Sequence, residues 1–142
     1  SEERRFGALA VRAWDLHLPP LAADLTASRE EYEVDYVARR CVRVAVGARF
    51  AAKGAAGSAL HVRAGVIGER AYDADRPPIE VQAAADGVAL GALEVPRTTR
   101  DGTGWRQLDV PVPPGPPERE FVFAVNSRDR ARPFCLQAWT TK

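Results

Sequence analysis

The run IEVQAAADGVALGALEVP, residues 79–96, decides how the rest of the chain is read. Ile79, Val81, Ala83 and Ala85 recur at every second position, and a second apolar run, residues 88–95, follows after Asp86-Gly87. Period-two alternation marks a half-buried strand, because successive side chains of a strand point to opposite faces. A two-residue Asp-Gly link suits the type I′ turn, which needs positive φ at both central positions. The stretch therefore predicts a β-hairpin. Working outward, residues 41–49, 59–67, 105–112, 120–126 and 134–140 show the same alternation or a β-branched and aromatic bias, each bounded by Gly, Pro or Asp. Short strands at this spacing predict an all-β, antiparallel β-sandwich of about 7–9 strands.

The N-terminal third has a different texture. Residues 8–18 alternate Leu9, Val11 and Ala13 against Ala10, Arg12 and Trp14, and Pro19-Pro20 ends that run. Residues 21–29 read as a short turn of helix or a loop. Residues 30–37 read as one strand, with Tyr32, Val34 and Tyr36 on one face and Glu31, Glu33 and Asp35 on the other. The expectation is a single domain, residues 1–142, in which residues 1–31 form an extension packed on the sandwich.

At 142 residues the chain can bury a full core, roughly two thirds of its unfolded surface for one domain of this size. A formal net charge of +1 gives no general attraction to nucleic acid or to a membrane surface. No apolar run approaches the roughly 20 residues of a transmembrane helix. The chain opens Ser-Glu-Glu-Arg-Arg and contains no Met, as expected of a mature or excised fragment. All of its basic residues except Lys53 and Lys142 are arginines. That fits a GC-rich coding bias, and equally a surface chosen for planar, bidentate recognition.

Charge is distributed unevenly among the connections. Residues 51–58, 86–87 and 113–117 are small and bland; residues 68–78, 96–104 and 127–133 are dense in Arg and Asp, and the two kinds alternate. Where consecutive strands run antiparallel, alternate connections fall at opposite ends of the sheet. The three charged loops are thus expected to meet at one pole, as in a loop-built binding site. The candidate ligand-binding residues there are Tyr72, Asp73, Asp75, Arg76, Arg100, Arg128 and Arg130, with Arg70, Arg97, Asp101, Asp129 and Arg132 beside them. The same loops could instead be a solvated end tied by its own salt bridges. Asp73 and Asp75 space two hard oxygen ligands that could take Ca²⁺, although Arg70 and Arg76 could satisfy the same carboxylates. No cofactor is expected.

Cys41 and Cys135 both fall on the face opposite the inner apolar rows of their strands, Val42, Val44 and Val46 in one case and Phe134, Leu136 and Ala138 in the other. A Cys41–Cys135 bridge would close most of the chain into a loop and stabilise it by roughly 4 kcal/mol in the chain-entropy model. It would also imply an extracytoplasmic location. Two separate thiols covered by the N-terminal segment are the other reading. Catalysis is not expected: the only histidines, His17 and His61, have no nucleophile at a recognisable spacing, and His61 points outward between Leu60 and Val62. Trp105 and Trp139 read as core or cover, and Trp14 as either cover or binding platform.

From Val42 to Trp139 the chain resembles the galactose-binding-like jelly roll of discoidin-type and carbohydrate-binding modules. The carrying segments are LHVRAGV (60–66), IEVQAAADGVALGALEVP (79–96), GWRQLDVPVP (104–113), REFVFAV (119–125) and FCLQAW (134–139). Members often carry an acidic stretch after the first core strand, where this chain has Ile67-Gly68-Glu69-Arg70. The resemblance implies a non-catalytic recognition module of a secreted or surface bacterial protein, binding glycan through the charged loops. The alternative is a structural or protein-interaction domain of an envelope or surface assembly, whose partner is another protein.

Overall fold

The computed structural model of the chain describes residues 20–26, 30–34, 36–68, 77–95 and 104–142. Within them the protein is all-β: β1 (Leu21–Asp24), β2 (Glu31–Val34), β3 (Val37–Arg40), β4 (Val42–Val44), β5 (Arg49–Ala55), β6 (Ala59–Val66), β7 (Ile79–Ala85), β8 (Val88–Val95), β9 (Arg106–Pro111), β10 (Glu118–Asn126) and β11 (Phe134–Thr141). One sheet runs β1-β11-β6-β9, with β4 also on β11. The facing sheet runs β5-β10-β7-β8, and β2 and β3 form a separate hairpin. All pairings are antiparallel. The β7–β8 hairpin has the expected turn, with φ of 48° at Asp86 and 82° at Gly87.

The inner rows are the alternating residues of the sequence. Leu60, Val62, Ala64 and Val66 of β6 and Phe134, Leu136 and Ala138 of β11 face Ile79, Val81, Ala83 and Ala85 of β7 and Phe121, Phe123 and Val125 of β10, all buried in one cluster. At the seam between the sheets, the buried Thr140 hydroxyl donates to the Ala55 carbonyl at 2.8 Å.

Four local expectations are corrected. Residues 41–49 are not one strand: β4 belongs to the first sheet, and the chain then crosses at Gly47 (φ 97°) to begin β5 in the second. Residues 51–58 are not a bland loop, since most of them form β5. Their small side chains serve close packing, for a Cβ on Gly54 would stand 2.8 Å from Leu25 Cδ2 and 3.3 Å from Ala23 Cβ. Residues 21–24 form neither helix nor loop but a strand on the end of β11, where unpaired backbone groups of an edge are satisfied. Residues 30–37 fold back on themselves as the β2–β3 hairpin, so Tyr36 leaves the face of Tyr32 and Val34 and occupies the turn. The predicted strand over residues 8–18, with Trp14 and His17, lies outside the described residues. These extra elements raise the strand count above the expected range.

The β2–β3 hairpin covers the outer face of the first sheet. Val34, Cys41, Cys135 and Trp105 form a second buried cluster beneath it, and Cys41 and Cys135 are joined in a disulfide with Cα atoms 5.7 Å apart. The cover needs a glycine below it: a Cβ on Gly65 would stand 2.9 and 3.0 Å from the Val34 methyls and 3.2 Å from Trp105 Cε3. Gly65→Ala should therefore destabilise by about 1–3 kcal/mol, the usual range for overpacking. Urea titration measures the loss, and faster amide exchange confined to β2 and β3 would locate it.

Candidate functional site

Strand register shows where the connections leave the sandwich. Val66 at the end of β6 pairs with Phe134 at the start of β11, and Ala64 pairs with Arg106 at the start of β9. In the other sheet Ile79 pairs with Val95, and Asn126 with Glu80. The flanks of the connections 67–78, 96–105 and 127–133 therefore lie at one end. At the opposite end Ala59 pairs with Thr141 and Pro111, and Ala55 with Glu118, flanking the bland connections. The alternation read from the sequence is thus present in the anchors of all three charged loops.

Of the candidate ligand-binding residues, Tyr72, Asp73, Asp75, Arg76 and Arg100 lie outside the described residues. Arg128 and Arg130 are described, and both are exposed. Arg128 borders a shallow cleft of about 420 Å³ with Pro77, Pro78, Glu80, Asn126 and Ser127. Arg130 lies across the β4–β5 crossover, where a Cβ on Gly47 would stand 3.4 Å from its Cζ and Nε. Its neighbour Arg132 is 3% exposed and donates from Nη1 to the Pro77 carbonyl, strapping one charged connection to another. The Asp129 carboxylate accepts from the Ala131 N–H at 3.1 Å, while the Ser127 hydroxyl accepts from the Asp129 N–H at 3.2 Å. Side chains that look alike in sequence thus divide: Arg132 and Asp129 shape the loop, and Arg128 faces solvent with the planar donor set that recognises carboxylates or sugar hydroxyls.

The structure adds an aromatic residue that the sequence reading placed elsewhere. Tyr36 is 63% exposed and sits at φ 68°, a left-handed conformation that costs a non-glycine residue on the order of 1 kcal/mol. The hairpin tip that carries it is held at the charged end. The Gly68 N–H donates to the Glu33 carbonyl at 2.7 Å, and Trp105 Nε1 donates to the Val37 carbonyl at 2.8 Å. Of the two residues between Val34 and Val37, Asp35 is a turn former in sequence, but the bulky Tyr36 beside it continues the period-two pattern and hid the reversal.

Among the described residues no group of three or more His, Cys, Asp or Glu side chains could hold a metal ion. Asp73 and Asp75 fall outside them. No described helix is long and apolar enough to cross a membrane.

No family model matches the chain, and no curated protein matches it. Solved structures do. The second family 51 carbohydrate-binding module with INT domains of Clostridium perfringens ZmpB, solved with GlcNAc, superposes with a TM-score of 0.52 at 11% identity, covering 84% of this chain and 25% of that one. The M60 catalytic domain of the same protein with both of its family 51 modules gives a TM-score of 0.55 at 9% identity, covering 86% of this chain and 16% of that one. This chain spans a quarter or less of the length of these two chains. The chain shares its fold with these carbohydrate-binding structures, an antiparallel β-sandwich as the sequence predicted.

Proposed function

We propose that this protein is a non-catalytic glycan-recognition module, one sandwich domain of a secreted or surface bacterial protein, whose ligand is held by the charged connections at one end. The observation that carries this reading is the convergence of the flanks of three arginine-bearing connections at one end of the sandwich. The likeness in fold to modules named for carbohydrate binding supports it. The Cys41–Cys135 disulfide supports an oxidising compartment. In this reading Arg128 donates to ligand oxygens, and Tyr36 offers the aromatic face on which a sugar ring packs.

The test is a glycan array followed by titration of the best ligand. Arg128→Ala should weaken binding about tenfold or more, the scale of a charge-assisted hydrogen bond. Tyr36→Gly should weaken it several-fold, and glycine keeps the turn because it adopts the positive φ without strain. An array silent for the wild type, with a protein partner recovered instead, would replace this reading by that of an interaction domain.

A further inference from the structure

The outer face of the first sheet carries a second polar constellation, away from the charged rim and beside the β2–β3 hairpin. His61 Nδ1 lies 2.6 Å from Asp109 Oδ1, and His61 Nε2 lies 2.9 Å from Thr141 Oγ1. Gln107 Nε2 donates to the same Asp109 oxygen at 2.9 Å. Arg63 donates to Gln107 Oε1 from Nη2 at 2.9 Å and from Nε at 3.2 Å, and to Gln137 Oε1 from Nη1 at 3.4 Å. Trp139 lies in the middle, its ring stacked 5.3 Å from that of His61 and 5.1 Å from Arg63 Cζ.

Charge in this network is unbalanced. Asp109 is held by His61 and Gln107: burial pushes its carboxyl upward, but hydrogen bonds from these two residues, together with the nearby charge of Arg63, outweigh it and leave the group below its usual range. The hydrogen bonds of Arg63 go to neutral amide oxygens, leaving part of its five-donor fork unspent. Its pKa is lowered by burial and then by the positive charge of Arg39, which reaches it from the hairpin, while the single carboxylate of Asp109 raises it by less. Arg39 shares a face with Val37 and with Tyr32, its partner across the hairpin. Its Nε is buried and, among the described residues, meets no hydrogen-bond acceptor. Buried polar atoms normally have partners, and two guanidinium groups held within mutual repulsion gain from an anion between them. His61 lies two positions from Arg63 along β6 and opposite Trp139 on β11, so the paired rings of Trp139 and His61 stand beside the Arg63 guanidinium.

We propose that this face is a second binding site, for an acidic sugar whose carboxylate is taken by Arg39 and Arg63 and whose ring lies along Trp139 and His61. The site is independent of the rim, so either can fail without the other. Trigalacturonic acid is the probe, its methyl ester the neutral control and a glutamate-rich peptide the acidic control. Binding is followed by tryptophan fluorescence and by the NMR shifts of the Trp139 indole and His61 ring. The acid should bind and shift both signals, and its affinity should fall tenfold or more in Arg63→Gln and in Arg39→Gln. Arg128→Ala should leave it unchanged. Arg39→Gln changes only the hairpin, so it keeps the test valid if Arg63→Gln disturbs the sheet. Equal affinity for the methyl ester would overturn the proposal. So would equal binding of the peptide, or the absence of any shift at millimolar trisaccharide.

Discussion

Replacing both Cys41 and Cys135 by alanine should destabilise the protein by about 4 kcal/mol, lowering the thermal midpoint by more than about 10 °C. The bridged residues are 94 positions apart, so cross-linking restricts most of the unfolded chain, and loop-closure entropy is near its upper range. The loss has a local component as well. Cys41 follows β3 directly, and its partner on β11 lies under Val34 and Trp105, both cysteines being 0% exposed. The bridge pins the hairpin to the sheet it covers. In the double-alanine variant amide protection should fall first in β2 and β3, before that of β10. In the wild type a reductant should act only as fast as the protein opens, because neither sulfur is accessible in the native state. A double variant within about 1 kcal/mol of the wild type in urea titration would show that core packing alone holds the hairpin and that the bridge is incidental.

What the sequence revealed and what it hid follow from one distinction. The strands that cross the middle of the sandwich were readable because each buries one face, which imposes period two on residues such as Phe121, Phe123 and Val125. The Asp86-Gly87 turn was readable because it needs a backbone shape that few residues supply. Elements at the edges were not. In β5 position 54 holds glycine because Leu25 and Ala23 press against it, so close packing looks like a featureless loop. Residues 41–49 keep one unbroken alternation, with Val44 and Val46 both buried, although the chain changes sheet between β4 and β5. Alternation records burial, not the identity of the neighbouring strand. The charged end was foreseeable from the order of the connections, since antiparallel topology alone sends alternate loops the same way. The division among its residues was not, because whether an arginine straps a loop, as Arg132 does at Pro77, or faces solvent, as Arg128 does, depends on three-dimensional partners.

Phe123→Ala should destabilise by about 3–5 kcal/mol, the range for deleting a fully buried phenylalanine. Phe123 is 0% exposed on β10, the strand that pairs with both β5 and β7, and it packs 6.4 Å centroid to centroid from Phe50. The cavity would open between two sheets whose hydrogen bonds fix their strands in register, so neighbouring side chains can fill little of it. The urea midpoint should fall with an unchanged slope, as expected when stability changes but the surface exposed on unfolding does not. Val88→Ala is the matched control: that side chain is 60% exposed, and its loss should cost within about 0.5 kcal/mol. β10 ends at Asn126, which lines the cleft beside Ser127 and Arg128, and this makes the substitution informative about function. Measured well below the transition, folded Phe123→Ala protein should bind the rim ligand as the wild type does, because the backbone pairing of Val125 and Asn126 to β7 survives. A large loss of affinity at full folding would mean that core packing sets the position of the charged connections, and that the rim is not held by its strand register alone.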